Sequence, residues 1–182
     1  NLTRGYIYIV RDPRDICISW AKHASLSIDD SIDFLSNFFS CIEWTKGDSS
    51  SKLPKKIIPL NFLSSWNEHV KSWTNNKWSV PKLIIKYEDL LENKKNVVFN
   101  IRNFFKDNFD ISIINFDKKI DNIILTTDFN QMKKMEMDQG FNEATNGNFF
   151  RSGQKNQWKE KLNSKQINKI ENNFKEYMIK FG

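Results

Sequence analysis

Arg11, Asp12, Pro13, Arg14 and Asp15 follow directly on the apolar run Tyr6–Val10, and Ser19 comes one helical turn after Asp15. A guanidinium at a strand end and a hydroxyl on the next helix can converge on one phosphate, because Arg offers the bidentate, charge-assisted geometry that phosphate oxygens reward. Backbone N–H groups at the start of that helix would favour the same anion. The competing reading is ordinary ion pairing of Arg11 with Asp12 or Asp15, or with Glu88 or Asp89 beyond a second apolar run. The residues leave both open. His69 shares a helical face with Trp66, Val70 and Trp73, so a packed, hydrogen-bonded role is expected of it rather than that of a base. His23 reads as a helix C-terminal cap or a pocket residue. Glu88 and Asp89, read as the end of a strand, would point to opposite faces, and pairing with Lys or Arg is expected of them. Trp158 reads as a packing anchor, and Lys133 and Lys134 as a solvated face.

The elements that must position these groups can be traced from periodicity. Gly5 to Val10 lacks polar alternation, as expected of a parallel strand buried on both faces. Asp12 as N-cap, Pro13 at the first helical position and Asp15 completing a capping-box-like arrangement then open a helix to about His23. Ser27 opens a second helical stretch carrying Ile32, Leu35, Phe38, Phe39 and Ile42, so Cys17 and Cys41 both fall in expected helices. A Ser/Lys-rich loop spans 46–58. A helix from about Leu60 to Thr74, a buried strand Leu83–Tyr87 and a helix through Val97, Val98, Ile101, Phe104 and Phe105 follow. Strand, helices, strand, helix is the alternation of a three-layer α/β domain with a parallel sheet flanked by helices. Two short helices over 117–137, a Gly/Asn-rich stretch from Gln139 to Gly153 and a last amphipathic helix from about Ser164 to Lys180 complete the chain.

Four of these segments, in order, resemble one family. Tyr8 to Asp15 with Ser19-Trp20 is similar to the 3′-phosphate-binding segment of the sulfotransferases that use 3′-phosphoadenosine-5′-phosphosulfate (PAPS). Ser65 to Trp73 resembles their W-x-x-H-V-x-x-W helix. Leu83 to Leu90 resembles their strand ending in Tyr-Glu-Asp, and Phe150-Arg151-Ser152-Gly153 with Trp158-Lys159 resembles their R-K-G loop and following G-x-W-K. Thr127 to Lys133 is a looser match to their T-S-F-x-x-M-K segment. The resemblance implies a P-loop nucleoside triphosphate hydrolase-like α/β fold and PAPS as sulfuryl donor, without a metal. It implies that Arg11 and Ser19 bind the 3′-phosphate and that Arg151 and the backbone of Gly153 close over it. Tyr87 would contact the adenosine region, Phe129 would stack on the adenine and Thr127 would hydrogen-bond to it. Stacking on a base contributes about 1–3 kcal/mol. The partner implied is a small-molecule acceptor bearing a hydroxyl or an amine.

The departures from the family pattern shape the expectation. Its Lys-Ser-Gly-Thr-Thr loop for the 5′-phosphosulfate and its general-base His have no counterpart here and would lie before Asn1. The 182 residues are thus expected to be a single partial sulfotransferase domain, truncated at the N-terminus. Such a piece would keep the 3′-phosphate and adenosine half of the site and lack the sulfuryl-transfer half, with no catalytic residue of its own. A non-catalytic module binding a 3′-phosphoadenosine nucleotide is the alternative. Ser152 stands where the family has Lys, which removes a positive charge from the clamp. The family's K-x-x-x-T-V-x-x-x-E dimer motif keeps only Lys159, so that dimer is not expected.

Composition narrows the remaining classes. Aromatic residues make up 14% and hydrophobic residues 39%, enough for a core. The formal charge of +6 comes almost wholly from Lys, and neither a G-x-x-x-x-G-K-[ST] loop nor an Arg-rich or aromatic RNA-binding signature appears, so nucleic acid is not expected as a partner. No apolar run approaches the ~20 residues that cross a bilayer. The two cysteines suggest no disulfide framework or metal site. A cytoplasmic setting is expected, a Golgi-type parent anchored upstream being the alternative.

Overall fold

Tyr6–Val10 forms strand β1, which pairs in parallel with β4 (Lys82–Lys86), Tyr6 opposite Lys82 and Val10 opposite Lys86. Between them run α1 (Pro13–His23), α2 (Ile28–Ser36), β2 (Cys41–Glu43), β3 (Leu60–Phe62) and α3 (Trp66–Thr74). After β4 come α4 (Tyr87–Glu92), α5 (Lys94–Phe109), α6 (Phe116–Thr126), α7 (Phe129–Gln139), α8 (Trp158–Lys161) and α9 (Ser164–Phe181). This computed structural model describes residues 2–43, 60–75, 77–141, 144 and 147–181; the Ser/Lys-rich loop lies outside them. Helix α3 packs on β1 and α5 on β4, so helices flank the parallel pair, as the α/β alternation predicts.

The core gathers residues from both ends of the chain. Val10 of β1, Cys17 and Ile18 of α1, Ile32 of α2, Trp66 and Val70 of α3, and Ile170, Phe174 and Tyr177 of α9 form one buried cluster. Burying side chains of this size contributes about 1.5–3 kcal/mol each, and this clamps α1, the helix that follows the Arg11 segment, between β1 and α9. No helix among the described residues is long and apolar enough to cross a membrane.

Four expectations are corrected. Strand β1 is buried on one face, not both: Tyr8 and Val10 face the core, whereas Ile7 is 36% and Ile9 52% exposed, because α3 packs its His69 and Trp73 on the face that carries Tyr8. The helix expected through Ile42 stops at Ser36. Asn37 turns extended, its side chain accepts from the Phe39 N–H at 2.9 Å, and the Ser40 hydroxyl donates to the Phe34 carbonyl, a local competition that ends the helix. Cys41 is therefore on β2 rather than a helix. The helix expected from Leu60 begins at Trp66. Leu60–Phe62 instead pairs antiparallel with β2, and Ser65 caps α3 by accepting from the Glu68 N–H. Finally, β4 ends at Lys86, so Tyr87, Glu88 and Asp89 form the first turn of α4.

Candidate functional site

The turn between β1 and α1 is built by Asp12 and Pro13 as the sequence implies. Asp12 accepts from the Arg14 N–H at 2.9 Å and Pro13 occupies the first helical position. The reciprocal half of the expected capping box is absent, since the Asp12 N–H donates to Glu88 Oε1 at 3.3 Å instead. Asp15, 2% exposed, serves the other end of the chain: it accepts from the Asn156 N–H at 2.7 Å and the Trp158 N–H at 3.1 Å. Arg14 is held by Asp12 and Glu171, each at 2.7 Å, and lies 3.9 Å over the Trp158 ring, making Trp158 the anchor its position suggests.

With Asp12 committed to Arg14 and Glu88 to a backbone N–H, the ion-pair reading of Arg11 reduces to Asp15, at 3.7 Å. Glu88 thus pairs with backbone rather than with Lys or Arg. Arg11 also donates to the Gln154 carbonyl at 3.1 Å and lies 4.3 Å over the Tyr87 ring. Among the described residues its buried Nε has no hydrogen-bond partner, and neither has the buried Ser152 hydroxyl in the facing loop. That loop closes the site: Arg151 reaches back to the Ser19 carbonyl at 3.4 Å. Gly153, at φ 58°, packs so tightly on Phe129 that a Cβ would overlap the ring.

The loop is held at both ends by buried carboxylates. Glu136 of α7, 7% exposed, accepts from the Phe149 and Phe150 N–H groups, the latter at 2.9 Å. Asp15 holds Asn156 and Trp158 at the far end. Phe129, Phe141 and Phe149 surround Phe150, with ring centroids 4.8–6.2 Å apart.

Of the seven residues the resemblance singled out, six are linked through this loop: Arg11 to Tyr87 and Gln154, Arg151 to Ser19, and Gly153 to Phe129. Thr127 stands apart. Its hydroxyl donates to the Ile123 carbonyl at 2.6 Å and its carbonyl accepts from Lys94. His69 is packed as expected, its Nδ1 3.0 Å from the Tyr8 hydroxyl, and burial lowers its pKa. His23 ends α1 beside Trp20 and Phe149. Asp15's part in the loop and all of Glu136's were missed in the sequence. The signal for Glu136 was a lone carboxylate between Met135 and Met137, which marks nothing without the loop that lies against it.

The family model for the sulfotransferase domain matches residues 4–182. Sulfotransferase 1B1 of Canis lupus familiaris is 26% identical over 178 residues, 94% of this chain and 54% of that one. The amine sulfotransferase of Oryctolagus cuniculus is 23% identical over 184 residues, 96% of this chain and 54% of that one. Among solved structures, mouse sulfotransferase SULT7A1 complexed with PAP superposes with a TM-score of 0.65 at 23% identity, covering 94% of this chain and 57% of that one. Retinol dehydratase in complex with retinol and PAP gives 0.63 at 19% identity, covering 93% and 46%. These similarities show a shared α/β fold, and the chain spans about half the length of the relatives it matches. With its domain matched over nearly the whole chain, the protein belongs to the sulfotransferase family.

Proposed function

We propose that this chain carries the 3′-phosphoadenosine-binding half of a PAPS-dependent sulfotransferase that moves a sulfuryl group to an acceptor hydroxyl or amine. The observation that supports it most is the convergence of Arg11, Ser19 and Arg151 on one loop, together with two buried polar groups, Arg11 Nε and Ser152 Oγ, that find no partner among the described residues. Phosphate oxygens would satisfy such donors. Arg11 and Arg151 would hold the 3′-phosphate, with the Ser19 hydroxyl and the Gly153 N–H completing the cradle. Tyr87 and Phe129 would flank the adenosine, and the Thr127 hydroxyl, whose oxygen still has accepting capacity, would face the adenine.

When bound, PAPS supplies the sulfuryl group, and these residues bind and orient the nucleotide that carries it. Orientation matters because in-line attack on a charge-spread centre is governed by positioning and electrostatics. The relatives' names support that acceptor class: one is an amine sulfotransferase, and one solved neighbour is a retinol dehydratase in complex with retinol, an alcohol. The setting proposed is the cytoplasm.

Titration calorimetry with adenosine 3′,5′-bisphosphate tests the reading. Binding is expected, weakened about tenfold or more in Arg11→Ala and Arg151→Ala through loss of charge-assisted hydrogen bonds. No binding by the unsubstituted chain, or binding by both variants as tight as that of the unsubstituted chain, would sink it.

A further inference from the structure

We propose that Lys22 and Lys161 are phosphate ligands of this same site, forming with Arg151 a three-cation cluster that takes the 3′-phosphate dianion; the choice of phosphate rests on the nucleotide reading above. Lys22 lies three residues after Ser19 on α1, hence on the same helix face. Helix α8 packs against α1 and carries Lys161, whose ammonium donates to Gln157 one turn earlier. Arg151 enters from the loop and touches the Ser19 carbonyl. Lys22 and Arg151 therefore lie at the same turn of α1, and α8 brings Lys161 to that helix.

Lys161 first, then burial and Arg151, lower the Lys22 pKa from its ordinary value. Among the described residues, no carboxylate lies within ion-pair distance of Lys22, Lys161 or Arg151. The carboxylates at the loop are engaged elsewhere: Asp15 by the Asn156 and Trp158 N–H groups and by Arg11, Glu136 by the Phe149 and Phe150 N–H groups, and Glu92 by Lys155. Like charges gathered without a counter-charge destabilise the fold, and a bound dianion reverses that cost. The arrangement also bears on Ser152, where the family's R-K-G loop would have Lys. Here the positive charge comes from α1 and α8 rather than from the middle of the loop.

Lys22 and Lys161 are both exposed, so glutamine at either position leaves the core untouched. Thermal unfolding at low salt with and without inorganic phosphate, on the unsubstituted chain, Lys22→Gln, Lys161→Gln and the double variant, tests the cluster directly. Without phosphate the variants are expected to melt no lower than the unsubstituted chain. With phosphate the unsubstituted midpoint rises and that of the double variant rises by less than half as much. In parallel calorimetry each substitution is expected to weaken adenosine 3′,5′-bisphosphate about five- to tenfold, leaving adenosine 5′-monophosphate, which has no 3′-phosphate, unaffected. Equal phosphate stabilisation of the unsubstituted chain and the double variant overturns the proposal, as does equal weakening of both nucleotides. If the unsubstituted chain binds no bisphosphate, the nucleotide reading falls, while the phosphate arm upholds or overturns the cluster independently.

Discussion

Gly153 shows how much one residue can fix. Its positive φ suits glycine, and its α-carbon lies against the Phe129 ring, so a methyl group meets both backbone strain and overlap. Gly153→Ala is expected to lose about 2 kcal/mol or more in urea unfolding and to weaken nucleotide binding by displacing Phe129; a variant as stable as the parent would refute the packing role. The resemblance named both residues, yet the contact between them was not readable, because 23 positions separate them and the chain turns back only once α7 is folded. His69 carries a pH signature. Burial beside Tyr8 lowers its pKa, so the unfolded chain takes up a proton that the folded chain resists. Its contribution to stability is fully present above its ordinary value of 6.5 and is lost as pH falls through the lowered one. The urea midpoint is expected to drop from pH 7.5 to pH 5, and to drop less in His69→Gln. An unchanged slope would show that other groups set the dependence.

At the scale of elements, the loop over 149–158 is shaped by carboxylates borrowed from α1 and α7. Asp15→Asn and Glu136→Gln each leave one part-buried backbone N–H without its acceptor, a loss of about 1 kcal/mol. Amide exchange is expected to quicken at Asn156 and Trp158 in the first variant and at Phe149 and Phe150 in the second. The α1 amides should stay protected in both, because Asp12 caps that helix. Faster exchange spread evenly over α1 and the loop would mean instead that Asp15 supports the helix. Asp12 and Pro13 were legible because capping acts over a few residues. Asp15 was misread as a capping partner because its true partners lie more than 140 residues away. The early end of α2 was missed for the opposite reason: Asn37 and Ser40 override a helical pattern through short-range hydrogen bonds that periodicity does not weigh. Ser65 and Glu68 carry the S-x-x-E signal that starts α3 at Trp66, which the expected start at about Leu60 passed over.

Over the whole molecule, α9 binds the two ends of the chain together. Phe174 is 1% exposed, packs on Trp66 and shares the core with Ile32 and Val70. Phe174→Ala is expected to cost about 3–5 kcal/mol, read as a single cooperative urea transition shifted to lower concentration with the slope retained. A local loss confined to α9 helicity would show that the helix is an appendage. The sequence by itself determined the parallel β1 and β4 pair, the capped turn after Arg11, the order of the motifs and the family they belong to. Strand runs, caps and motif spacings are written in neighbouring residues, so composition and period suffice to find them. Which groups Arg11 meets, how Asp15 and Glu136 hold the loop, and that Ile7 and Ile9 stay open were decided by the tertiary structure. Each depends on segments far apart in the chain, where only packing settles which side chain reaches which partner.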